Sequence, residues 1–144
     1  MKGKPANSIL RYLITVLASA ALIMAFNIFL DGMYLIGAPD AGDVEKVTVS
    51  YPEVSDAPKE FSDEENIKLA VQLTGFLRYS LFEKAPEGDA PLMTVTYFLK
   101  DGTAVEISAS RDTVWWKGKA RAIKEKEMFI NLAEGIFFLD EVME

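Results

Sequence analysis

Histidine and cysteine are both absent from this chain, so its chemistry must be built without them. A Ser-His-Asp triad, a thiolate nucleophile and an imidazole metal ligand are excluded, and ordinary zinc sites go with them. Carboxylates and lysines remain. A carboxylate pair could hydrolyse a glycosidic bond and a Ser-Lys pair could act on an acyl group, but neither has a recognisable motif here. Asp63, Glu64 and Glu65 form an acidic run, yet they fall where a helix should begin, and there the macrodipole favours negative charge. No Asp-x-Asp-x-Asp-Gly calcium loop and no phosphate-cradling glycine loop occurs. The expectation is a non-enzymatic chain with no catalytic residue, no metal site and no cofactor.

Two features suit binding. Trp115 and Trp116 are adjacent; on a strand their side chains point to opposite faces, so if one enters the core the other points away. An outward tryptophan can anchor a partner or a saccharide, or lie at a membrane interface, unless a helix or loop covers it. Around the pair, Arg111, Lys117, Lys119, Arg121, Lys124 and Lys126 stand against only Asp112 and Glu125. Such a basic stretch could meet anionic lipid headgroups, an anionic wall polymer or an acidic partner, or it could be a solvated hairpin.

The element that positions everything else is the uncharged run from Tyr12 to Leu30, preceded by Lys2, Lys4 and Arg11 and followed by Asp31. At about 1.5 Å per residue it covers roughly 28 Å, the thickness of a bilayer's hydrocarbon core. A cleaved leader has an apolar region of about 7 to 15 residues ending in small residues; here Ala18, Ser19 and Ala20 sit in the middle of the run. An uncleaved anchor is expected, with residues 1–11 cytoplasmic, 12–30 spanning, 31–42 a juxtamembrane linker and 43–144 an extracytoplasmic domain. Met33 to Gly37 reads as an interfacial continuation with Tyr34 at headgroup level. Ala18, Ala21 and Ala25 offer a small-residue face for helix association, and Asn27 could add an interhelical hydrogen bond; a homo-oligomer is one outcome and a bland tether the other.

Twelve of the 15 basic residues and 20 of the 22 acidic ones follow Gly42. Phosphate backbones would repel such an acidic domain, so nucleic acid is excluded as a partner. Its length suits one core, and without cysteine it holds together by packing alone. Val47, Val49 and Tyr51 alternate with polar residues and read as a half-buried strand ended by Pro52. Glu53–Phe61 reads as a loop. Ser62 and Glu65 form a capping box for a helix running to Phe82, with Ile67, Ala70, Val71, Thr74, Leu77 and Leu81 on its buried stripe. Gly75 inside that helix implies close approach to the sheet.

Strands follow at Met93–Leu99 and Val105–Ala109, joined by Asp101-Gly102, a dipeptide that suits a tight hairpin. A second hairpin spans Thr113–Trp116 and Ala120–Ile123. A last helix begins near Lys126 and packs through Met128, Phe129, Leu132, Ala133, Ile136 and Phe137. The fold class is α+β: an antiparallel sheet of about five strands with two helices on one face, after an N-terminal transmembrane helix.

The stretch Thr94-Val-Thr-Tyr-Phe-Leu-Lys-Asp-Gly102, followed by Thr113-Val-Trp-Trp-Lys-Gly-Lys119, resembles small extracytoplasmic domains of single-pass or exporter-associated membrane proteins of Gram-positive bacteria. The resemblance covers about half the chain. It implies a bacterial cell-surface setting and carries no catalytic residues. The expected role is an accessory or sensing subunit of a membrane assembly with a protein partner, the alternative a module for anionic wall polymer or lipid headgroups, and the third a carboxylate-dependent hydrolase.

Overall fold

The structure is a computed structural model that describes residues 5–142; Lys2 and Lys4 lie outside the described residues. Helix α1 (Pro5–Asp31) contains a window of mean hydropathy 2.4, none of it buried by the rest of the chain, and is long and apolar enough to cross a membrane. Gly32 ends it: at φ +86° its N–H donates to the Ile28 carbonyl at 2.9 Å, a left-handed C-cap that a side chain would strain.

The chain does not then leave the folded body as a linker. Met33–Tyr34 (β1) pairs antiparallel with Arg78–Tyr79 (β4), and Leu35 is buried in the core. After a 3₁₀ turn at Ala41–Asp43, six antiparallel strands form the main sheet: β2 (Val44–Ser50), β3 (Lys59–Phe61), β5 (Met93–Leu99), β6 (Ala104–Ala109), β7 (Thr113–Trp116) and β8 (Lys119–Ala122). Their order is β3-β2-β5-β6-β7-β8. The segment read as a loop before Phe61 thus contains an edge strand, paired through Val47↔Phe61.

One face of the sheet is apolar in register. Val49, Val95 and Ile107 form one row, and Met93, Ala109 and Val114 another; all are buried. Helices α2 (Glu64–Gly75) and α3 (Met128–Phe137) cover that face, with the short α4 (Leu139–Val142) after them. A polar pin fixes α2. The buried Tyr97 hydroxyl donates to the Ala70 carbonyl at 2.6 Å and lies 2.5 Å from Thr74 Oγ1; burial pushes its pKa up. The sheet's other face carries Thr48 with Thr96 and Glu106, and Ser50 with Thr94, Ser108 and Trp115.

Three local expectations are corrected. The cap of α2 is Asp63 rather than Ser62: its carboxylate accepts the Asn66 N–H at 3.1 Å, because Ser62 is taken up in the link from β3. The helix stops at Gly75 instead of Phe82, since Arg78–Tyr79 is claimed by β1, and Leu81 is exposed. Gly75 meets no close neighbour either: a Cβ there would have nothing within 4 Å.

Both hairpins form. At the first, Gly102 carries the left-handed φ of +91° while Asp101 Oδ1 accepts from the Thr103 N–H and hydroxyl. At the second, Lys117 and Gly118 both have positive φ, 49° and 78°, as a two-residue primed turn requires.

Candidate functional site

The two tryptophans are unequal. Trp116 is 6 % exposed on the core face, with Lys117 Nζ 5.3 Å from its ring centroid. Trp115 lies on the opposite face, partly buried, between Ser108 and Ala120.

The basic stretch does not gather around them. Arg111 lies beyond the start of β7, where its carbonyl accepts the Glu127 N–H, whereas Lys117 and Lys119 are at the far end of that strand. Arg121 stacks over Tyr79 at 4.8 Å, and Lys126 pairs with Glu83 at 3.5 Å. Among the described residues, the cation of this stretch placed on a tryptophan is Lys117, over the buried Trp116. On α1, Ala18, Ala21 and Ala25 share a face and are exposed, but Asn27 follows Ala25 by two residues, which turns it to the other side of the helix.

What the structure does bring together is the exit of α1 and the β8 edge of the domain. β4 continues that edge: Tyr79 bridges Ile123, the Ser80 N–H donates to the Ala122 carbonyl at 2.8 Å, and the Lys124 N–H donates to the Arg78 carbonyl at 2.9 Å. Gly32 lies against this edge so closely that a Cβ would stand 2.9 Å from the Tyr79 carbonyl oxygen. Lys124 Nζ reaches the Phe29 carbonyl at 3.4 Å, a cation at a helix C-terminus, where the macrodipole favours it. Phe29 and Phe82 have ring centroids 5.3 Å apart, and Arg78 stacks on Tyr34 at 4.7 Å.

A second surface lies on α3. Phe129, Ile130, Ala133 and Phe137 are buried, but Leu132 and Ile136, expected in the core, are exposed. Met128, Leu132 and Ile136 recur every four residues and so make one outward stripe. Phe76, 59 % exposed at the end of α2, joins it across a cleft of about 290 Å³ lined also by Arg78 and Glu125. The signal was in the sequence: the apolar positions of α3 cover more than the single stripe that a sheet can bury.

The acids are arranged structurally. Glu64 pairs with Lys68 at 2.9 Å. Asp89 accepts the hydroxyls of Ser110 and Thr113, and those bonds hold its carboxyl below the ordinary range. Lys59 donates to the Phe137 carbonyl at 2.8 Å and pairs with Glu141, whose pKa it lowers. Asp63, Glu64 and Asp101 are likewise lowered, each first by a side-chain hydrogen bond. Glu134 accepts from Tyr51, whose hydroxyl is pushed up to about 12 by burial and by that carboxylate. Among the described residues, no three acids converge where they could hold a metal ion.

No protein-family model matches the chain, and no curated protein or solved structure does either.

Proposed function

We propose that this is a non-enzymatic, membrane-anchored domain that serves as an accessory or sensing subunit, with α1 in the bilayer and a protein partner seated on α3. The observation that carries this reading is the apolar stripe of Met128, Leu132 and Ile136 with Phe76 beside it. Leu132 and Ile136 are 39 % and 37 % exposed and Met128 is partly buried, and an apolar row that its own fold leaves partly open is a surface for association.

The proposed topology keeps the N-terminus in the cytoplasm and the domain outside, from Arg11 before the apolar run and Asp31 after it. Protease added to intact cells then removes the domain, and protection until permeabilisation would reverse the orientation.

The partner is tested with a photoreactive residue at Leu132 in native membranes, with Thr48 on the open sheet face as comparison. A discrete adduct from position 132 that disappears with Ile136→Glu supports the proposal; adducts from position 48 alone would move the interface to the sheet.

A further inference from the structure

We infer that the turn after β4, led by Phe82, is a wedge that enters the interfacial layer of the same bilayer that α1 crosses. The inference rests on the reading of α1 as a spanning helix. Phe29 stands two residues before the end of α1, about 3 Å along the axis. A run filling the hydrocarbon core therefore brings Phe29 to its edge, and Phe82, at 5.3 Å between ring centroids, shares that depth. Phe82 is 70 % exposed and its neighbour Leu81 is exposed too.

This exposure is built. Ser80 is buried, its N–H is bonded to the Ala122 carbonyl, and its hydroxyl oxygen accepts the N–H groups of Phe82 at 3.3 Å and Glu83 at 3.1 Å. The turn is thereby held with the phenyl ring outward. Cations border it: Lys84 is exposed two residues on, Lys124 caps α1, and Glu83 is paired with Lys126. An apolar tip with lysines around it matches a bilayer edge, where rings rest at the acyl boundary and ammonium groups reach lipid phosphates. Continuity with α1 selects the bilayer as occupant over a second copy or another protein.

The absence of cysteine makes the test direct. Single cysteines at Leu22, Phe82, Lys84 and Glu60, the last on the opposite sheet edge, are labelled with an environment-sensitive fluorophore in the full chain. The chain is reconstituted in phosphatidylcholine vesicles with and without phosphatidylglycerol. The expected result is that the label at 82 loses most of its quenching by aqueous iodide relative to position 60 and gains quenching by shallow nitroxide lipids, more so with phosphatidylglycerol. A label at 84, with Phe82 intact, is protected in the same way, and Phe82→Ser removes that protection; this arm is free of any affinity of a dye at 82. Iodide access at 82 equal to that at 60, with Leu22 still shielded, would overturn the wedge while the anchor stands. Access at Leu22 would overturn the anchor itself. Shielding at 82 from both iodide and lipid nitroxides would assign the patch to a protein and overturn the inference.

Discussion

Replacing Asp89 with alanine removes a clasp that ties the loop after Phe82 to the sheet. Its Oδ2 accepts from Ser110 Oγ at 2.5 Å and Thr113 Oγ1 at 2.7 Å, and its Oδ1 accepts the Ala90 N–H at 3.0 Å. Thr113 is fully buried and Ser110 nearly so, so alanine leaves two hydroxyl donors without their partner. An orphaned buried polar group costs about 1–3 kcal/mol. Asp89 itself reaches solvent, and water will recover part of that, which puts the total at about 2–3 kcal/mol. Asp89→Asn keeps one acceptor and should fall between. Thr113→Val, which removes one of the orphans, should cost about 1 kcal/mol less in the Asp89→Ala background than alone.

Urea unfolding in micelles, followed by tryptophan fluorescence, measures this cleanly because the chain's two tryptophans are both in β7. The same bonds hold the folded carboxyl below its ordinary value of 3.8. A depressed folded pKa contributes stability that is complete above the unfolded value and lost as pH falls through the folded one. The gap between wild type and Asp89→Ala should thus hold constant down to about pH 5 and narrow below about pH 4. A variant within about 0.5 kcal/mol of wild type at neutral pH, or a gap that does not narrow in acid, refutes the clasp.

Trp116→Ala should cost about 3–5 kcal/mol through lost core packing, and Trp115→Ala about 1–2 kcal/mol because its ring is only partly covered; each variant keeps one tryptophan as reporter, and the reverse order would contradict the register of β7. Asp63→Ala should lower the melting temperature while Ser62→Ala leaves it unchanged, which separates the observed cap from the Ser62-Glu65 box. Gly32→Ala should speed amide exchange in β1 and β4 with the domain's urea midpoint nearly unchanged; unaltered exchange would mean that the α1 exit is not held by this close approach.

Much of the sheet was legible because it is written locally. Alternation in Val47–Tyr51 and Met93–Leu99 sets the buried face, Gly102 supplies the one left-handed residue of its turn, and Lys117-Gly118 makes a two-residue turn that fixes Trp115 and Trp116 on opposite sides. Strands β1, β3 and β4 were not legible, since two or three residues give no period and their partners are far off in sequence. Missing β4 also lengthened α2, whose apolar spacing continues through Leu77 and Leu81 although the backbone is taken by Met33–Tyr34. The placement of the candidate binding residues was not legible either, for a different reason. A sequence run of cations says nothing of direction, and β7 with its turn sends Arg111, Lys117 and Arg121 to three separate places. Conversely Phe29, Phe82 and Lys124 have no sequence relation at all and meet only because β4 joins the β8 edge.

That meeting bears on how a sensing subunit could work. Residues 31–42 read from the sequence as a juxtamembrane linker, which would let helix and domain move separately. The first part of that stretch is instead tied into the folded body through Met33, Tyr34 and Leu35. Backbone pairing of β1 with β4, the approach of Gly32 to the Tyr79 carbonyl and the reach of Lys124 to Phe29 each fasten α1 to a different atom of the same edge. Tilting the helix on the domain would have to break all three. In the proposed reading, a partner that turned the domain would therefore turn α1 with it instead of losing the motion in a linker.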